Sequence, residues 1–138
     1  MEQQKQRVIE ICTAWDLYNN TTEEKQILKF YTELGEYADA VLRDDRDAII
    51  DAIGDMAVCL INAKKMQEFE HPYSTVCMHD SFCEFIVEVS CGKYDDALFT
   101  IETISRRHGT TLEHCLDTVI KVIEKRKGKM INGVFVKE

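Results

Sequence analysis

The segment from Asp45 to Met66 limits the possible folds most. Ile49, Ile50, Ile53, Met56, Ala57, Val58, Leu60 and Ile61 give it apolar side chains on nearly every side of a helix. Such a helix is stable only when other elements cover it, so it is expected to be buried. The remaining sequence supplies further helices. Val8, Ile11, Cys12 and Trp15 give a helical pattern over about residues 3 to 17, which stops at Asn19-Asn20. Thr21 and Thr22, with Glu24 close behind, cap a second helix in which Ile27, Tyr31, Leu34, Ala38 and Val41 recur at three- to four-residue steps up to Arg43. Asp44 or Asp45 caps the central helix. Gln67 to His79 contains the single proline and reads as a connection, followed by helices at about residues 81–90, 94–108 and 111–125. His108-Gly109-Thr110-Thr111 between the last two is a stop followed by a cap. Asn132-Gly133, set between Met130-Ile131 and Val134-Phe135-Val136, signals a hairpin. The expected fold is an all-α multi-helix bundle, one domain over residues 1–138, ending in a short C-terminal β-hairpin or hook.

Composition narrows the class. With 45% apolar and 30% charged residues, one Pro and 6 Gly in 138 residues, the chain is neither disordered nor collagen-like, and a loop-rich β-sandwich is a poor fit. No apolar run approaches the roughly 20 residues of a membrane span, and the start MEQQKQ has no apolar export core, so a soluble, cytoplasmic protein is expected. The net charge of −8 argues against a non-specific grip on nucleic acid polymers or an anionic membrane. It is unevenly spread, with +4 from Lys125 onward and −12 before it. The six cysteines, at 12, 59, 77, 83, 91 and 115, are spaced singly through helical patterns and read as reduced thiols, mostly in the core. Cys77, His79, Cys83 and Cys91 have no familiar zinc spacing, and Glu68 with His71 is a single ExxH where a di-iron bundle needs two.

The chemistry sits on the central helix. Asp51 and Asp55 lie about 40° apart around it and Asn62 falls between them two turns on, so one narrow polar stripe runs along a helix expected to be buried. Carboxylates avoid such places unless paired or bound to a metal. The second helix carries Glu33 and Glu36, one turn apart at the margin of its apolar stripe. Antiparallel packing across the short Arg43 to Asp45 connection faces all four acids into one cleft. Like charges about 5 Å apart at an effective dielectric near 20 cost roughly 3 kcal/mol per pair. A cation is therefore expected, and an all-oxygen donor set suits Mg²⁺, with Mn²⁺ as a possible substitute.

These residues carry a resemblance. Glu33-Leu34-Gly35-Glu36 followed by Asp51-Ala52-Ile53-Gly54-Asp55 resembles the ExxE…ExxD signature of the MazG-like all-α nucleoside triphosphate pyrophosphohydrolases. The tail from Arg126 to Lys137 is similar to the ending of the small phage-type members. The likeness covers most of residues 23–66 and 111–138. The sequence departs from the pattern at Thr32, where a doubled acid usually opens the first motif, and at Ala52, leaving Asp51 as the nearest acid.

The resemblance implies hydrolysis of an NTP or dNTP between the α and β phosphates, to monophosphate and pyrophosphate, in the cytoplasm of a bacterium or a phage-infected host. On that reading Glu33, Glu36, Asp51 and Asp55 hold Mg²⁺, and Glu36 takes the proton of the attacking water. Lys29, Asn62, Lys125, Arg126 and Lys127 are the candidates for substrate contact, and a homo-oligomer, dimer or tetramer, is expected. Each residue also has a plainer role open to it. Glu33, Glu36 and Lys29 suit a solvated helix edge, Asn62 a helix-to-helix hydrogen bond, and the basic tail a subunit contact or solubility. The alternative function is a non-catalytic helical module that binds a nucleotide or a protein through a degenerate metal site.

Overall fold

The computed structural model describes residues 1–70, 88–131 and 134–138. Its elements are α1 (Glu2–Ala14), α2 (Leu17–Asn20), α3 (Glu23–Leu42), α4 (Arg46–Glu70), α5 (Tyr94–Arg107), α6 (Leu112–Ile123), β1 (Gly128–Ile131) and β2 (Val134–Lys137). The architecture is all-α with a small antiparallel sheet near the C-terminus. Helix α4 lies at the centre and packs on α1, α3, α5 and α6, as its all-round apolar surface requires. Ile53, Met56 and Leu60 on it are 0% exposed, and burying a side chain of that size stabilises the fold by about 1.5–3 kcal/mol each. Phe30 of α3, Val8 of α1, Ile101 of α5 and Leu112 and Leu116 of α6 join them in one continuous core.

Local chemistry fixes the helix ends. The Thr22 hydroxyl accepts from the Lys25 backbone N–H at 3.2 Å to start α3, and the Thr111 hydroxyl accepts from His114 N–H at 3.2 Å to start α6. Caps of this type are worth about 1 kcal/mol. The Asp45 carboxylate accepts from the Ala48 backbone N–H at 3.1 Å at the start of α4. Gly109, at φ +68, makes the left-handed turn that separates α5 from α6.

Two boundaries differ from the expectation, and a third falls partly outside the described residues. The first helix does not run unbroken to residue 17. It ends at Ala14, and Asp16 takes a left-handed conformation (φ 58, ψ 31) in which its carboxylate accepts from the Asn19 and Asn20 side-chain amides at 2.6 and 2.9 Å. Helix α4 continues past Met66 to Glu70, held by Gln67, whose side-chain amide donates to the Gly92 carbonyl at 3.0 Å, and by a Lys65–Glu68 pair one turn apart. Of the helix expected over 81–90, residues 88–90 are helical and the rest lies outside the described residues, as do Cys77, His79, Cys83 and His71.

The C-terminal strands pair in register from Gly128↔Lys137 to Ile131↔Val134, with Asn132-Gly133 between them outside the described residues. Gly128, at φ +153, is required here, because a Cβ on it would lie 2.2 Å from the Val136 carbonyl oxygen. Trp15 anchors the hairpin: its carbonyl accepts from Met130 N–H at 3.0 Å and its ring packs on Phe135 at a centroid distance of 4.8 Å. Among the described residues no helix is long and apolar enough to cross a membrane.

Four described cysteines are free thiols. Cys12, Cys59 and Cys115 are buried while Cys91 is exposed, and burial pushes the Cys12 thiol up to about 11. A thiolate-selective reagent is expected to modify Cys91 in the native protein and the other three only on unfolding. Peptide mapping after a short alkylation pulse checks this, and native labelling of Cys59 at the rate of Cys91 would contradict it.

Candidate acidic site between helices α3 and α4

The short connection after Leu42 returns the chain antiparallel, so α3 lies along α4 and brings the two acidic motifs together. Glu33 is the buried member, 4% exposed, although it carries a charge. It is tolerated there because Lys29, one turn earlier on α3, places its ammonium against the Glu33 carboxylate. The pairing raises the Lys29 pKa, first through that hydrogen bond, with weaker support from Glu36. Lys29 itself stays largely in solvent, with 56% of its side chain exposed.

Across from Glu33 stands Asp55, half-buried on α4. Its carboxyl is pushed up to about 7, mainly by burial and then by the negative charges of Glu33 and Asp51; Arg126 and Lys29 pull the other way. The influence of Arg126 is informative, because it lies three residues beyond the end of α6, ahead of the hairpin fixed to Trp15. The basic tail therefore brings one positive charge within electrostatic range of Asp55, with no ion pair between them among the described residues. Lys125 and Lys127 on either side of it are exposed.

The polar stripe of α4 is not uniformly buried as the sequence suggests. Asp51 is exposed although its neighbours Ile50 and Ala52 are buried, whereas Asp55, one turn further along α4, is half-buried. Ala52, at the position where the resemblance calls for an acid, is 4% exposed and faces the core. Glu36 is exposed, one turn beyond Glu33. Asn62 is 1% exposed, and both ends of its amide are engaged: Oδ1 accepts from the Tyr18 hydroxyl at 2.7 Å, and Nδ2 donates to Cys12 Sγ at 3.4 Å. Of the two roles open to Asn62, the structure has the hydrogen bond that ties α4 to α1 and α2.

One participant escaped the sequence reading. Cys59, four residues after Asp55 on α4, is buried, and its thiol pKa is raised by burial and then by the charges of Glu33 and Asp55. Its i, i+4 spacing from Asp55 was the available signal.

The arrangement can neutralise anionic oxygens with Lys29 and Arg126, and it can hold a proton on Asp55 near neutral pH. Among the described residues no three carboxylate, histidine or cysteine side chains converge in a way that would hold a metal ion. No family model, curated protein or solved structure matches this chain.

Proposed function

We propose that the protein is a metal-dependent nucleoside triphosphate pyrophosphohydrolase acting at the site between α3 and α4. The observation that carries this reading is a buried glutamate paired with a lysine on α3, and on the adjoining α4 a half-buried aspartate whose pKa is raised by burial and by that glutamate. The donor chemistry of Glu33, Glu36, Asp51 and Asp55 fits Mg²⁺, since all are hard oxygen ligands and a divalent cation relieves the repulsion that raises Asp55. Their side chains are not arranged as a ligand cage, and Lys29 occupies the Glu33 carboxylate.

When bound, the cation supplies charge neutralisation and acidifies water. The chain's own groups do the rest. Lys29 and Arg126 bind phosphate oxygens, with Lys125 and Lys127 adding positive potential from the tail. Glu36, exposed beside Lys29, takes the proton of the water that adds to the α-phosphorus, while the bridging oxygen leaves with pyrophosphate. The alternative, a non-catalytic binding module, draws on the same ion pair, with the Lys29 ammonium standing in for a metal cation at the Glu33 carboxylate.

A panel of NTPs and dNTPs assayed with Mg²⁺ and Mn²⁺ separates the two. The expected result is monophosphate and pyrophosphate, abolished by excess EDTA. Orthophosphate as the sole inorganic product, or undiminished turnover in EDTA, overturns the reading. Neutralising Lys125, Arg126 and Lys127 together is expected to raise KM by roughly tenfold, as for the loss of a charge-assisted hydrogen bond. An unchanged KM removes the tail from substrate binding.

A further inference from the structure

The C-terminal hairpin is fixed along one edge. Met130 N–H donates to the Trp15 carbonyl at 3.0 Å, so the outer edge of β1 is turned towards the end of α1. That bond also sets the phase of the ladder. Met130 stands opposite Phe135, and because its N–H points away from β2 these two exchange no backbone hydrogen bonds, whereas Lys129 with Val136 and Ile131 with Val134 do. Glu138 N–H donates to the Lys127 carbonyl at 3.0 Å, which keeps the same alternation. The N–H and C=O groups of Phe135 and Lys137 therefore point outward from β2, and among the described residues they have no backbone partner. The side chains nearby carry one sign of charge. Lys125, Arg126, Lys127, Lys129 and Lys137 are exposed, and none forms an ion pair among the described residues. Ile131 and Val136, 43% and 45% exposed, share one face of the hairpin with Lys129, while Phe135 on the other face packs on Trp15.

We propose that the outer edge of β2 takes up an extended acidic segment of another protein as a third strand. Backbone pairing with Phe135 and Lys137 supplies the affinity, and alternate side chains of the incoming strand supply the selection. One set of them lies beside Val136 and enlarges the apolar face of Ile131 and Val136. The other set lies beside Lys137 and is acidic. Charge decides against two other occupants. A second copy of β2 brings a further net charge of +4 against the same cations, and lysines on an edge strand guard against that pairing. A nucleic acid has no peptide backbone to continue the ladder, and the −12 of the chain before Lys125 repels it. The proposal does not rest on the nucleotide reading, in which the β2 edge, Lys129 and Lys137 take no part.

Fluorescence anisotropy of a labelled short peptide alternating Glu and Val, titrated with the full chain to about 1 mM, tests this. The expected result is saturable binding, weakened about tenfold or more when every peptide amide is N-methylated and so cannot donate. Lys137→Pro deletes an outward N–H that the hairpin itself does not use. It is expected to weaken binding about tenfold beyond Lys137→Ala, which removes the charge alone. Trp15, the single tryptophan, packs on Phe135, so its emission reports whether the hairpin stays seated in each variant. Should Lys137→Pro unseat it, the N-methylated peptide carries the test on the unaltered chain. No binding up to about 1 mM overturns the proposal. So does equal binding of a peptide alternating Lys and Val, indifference to N-methylation or to a seated Lys137→Pro, or retention of a single-stranded oligonucleotide in preference to the acidic peptide.

Discussion

Asp55→Asn is expected to abolish pyrophosphate release, by roughly 100-fold or more, while making the metal-free protein more stable. The stability gain follows from the Asp55 carboxyl, pushed from 3.8 to about 7 by burial and by Glu33 and Asp51. The folded chain binds this proton more tightly than the unfolded chain does. Stability from this group is therefore fully present below about pH 4 and is lost as pH rises towards 7. At pH 8 the folded protein carries the whole penalty of a half-buried, repelled carboxylate, about 4 kcal/mol at one pKa unit per 1.4 kcal/mol. Asparagine has nearly the same shape and no charge, so the variant escapes the penalty. With EDTA present, its melting temperature should exceed the wild type's by on the order of 10 °C at pH 8, and the gap should close near pH 4. A gap that does not change between those pH values would mean that Asp55 titrates normally. An active variant would remove Asp55 from the site.

Replacing Gly54 is expected to have the largest effect on folding. A Cβ at this position would lie 2.3 Å from Val119 Cγ2 and 2.7 Å from the Cys115 carbonyl oxygen, so α4 and α6 cross with nothing between them there. Alanine brings about 1 kcal/mol of helix propensity, but the Cys115 carbonyl belongs to the α6 backbone and cannot give way alone. Gly54→Ala is expected to lose about 1–3 kcal/mol net, the usual range for overpacking. Gly54→Leu should leave little folded protein. Urea titration of both variants measures the cost, and wild-type stability in Gly54→Ala would show that the crossing has room for a methyl group. The same crossing bears on the site, because Arg126, whose charge acts on Asp55, follows directly on α6.

The helices and their caps were legible in the sequence because they depend on local physics. The 3.6-residue period, Thr22 and Thr111 at helix starts, Gly109 at a helix end and the two apolar runs around Asn132-Gly133 each act within a few residues. The turn at Asp16 was not legible, since Trp15 continues the helical pattern and only its contacts with the hairpin, on Phe135 and Met130, set where α1 stops being useful.

The acidic motifs could be found by spacing, and the antiparallel return of α4 along α3 follows from the short connection. Which acids are buried could not be found that way. Glu33 and Glu36 look equivalent in sequence, as do Asp51 and Asp55, yet Glu33 is buried with Lys29 while Glu36 is exposed, and Asp55 lies deeper than Asp51. Desolvation depends on what covers a side chain from other elements, and here one counter-charge acting on Asp55 comes from Arg126, 71 positions away in the chain. The two helical glycines make the same point. Gly35 faces open space and Gly54 touches α6, a difference that no local pattern records. Periodicity determined that helices of these lengths form and which face of each is apolar. Only the packed structure decided which apolar face is used, which is left open, and where a charge loses its water.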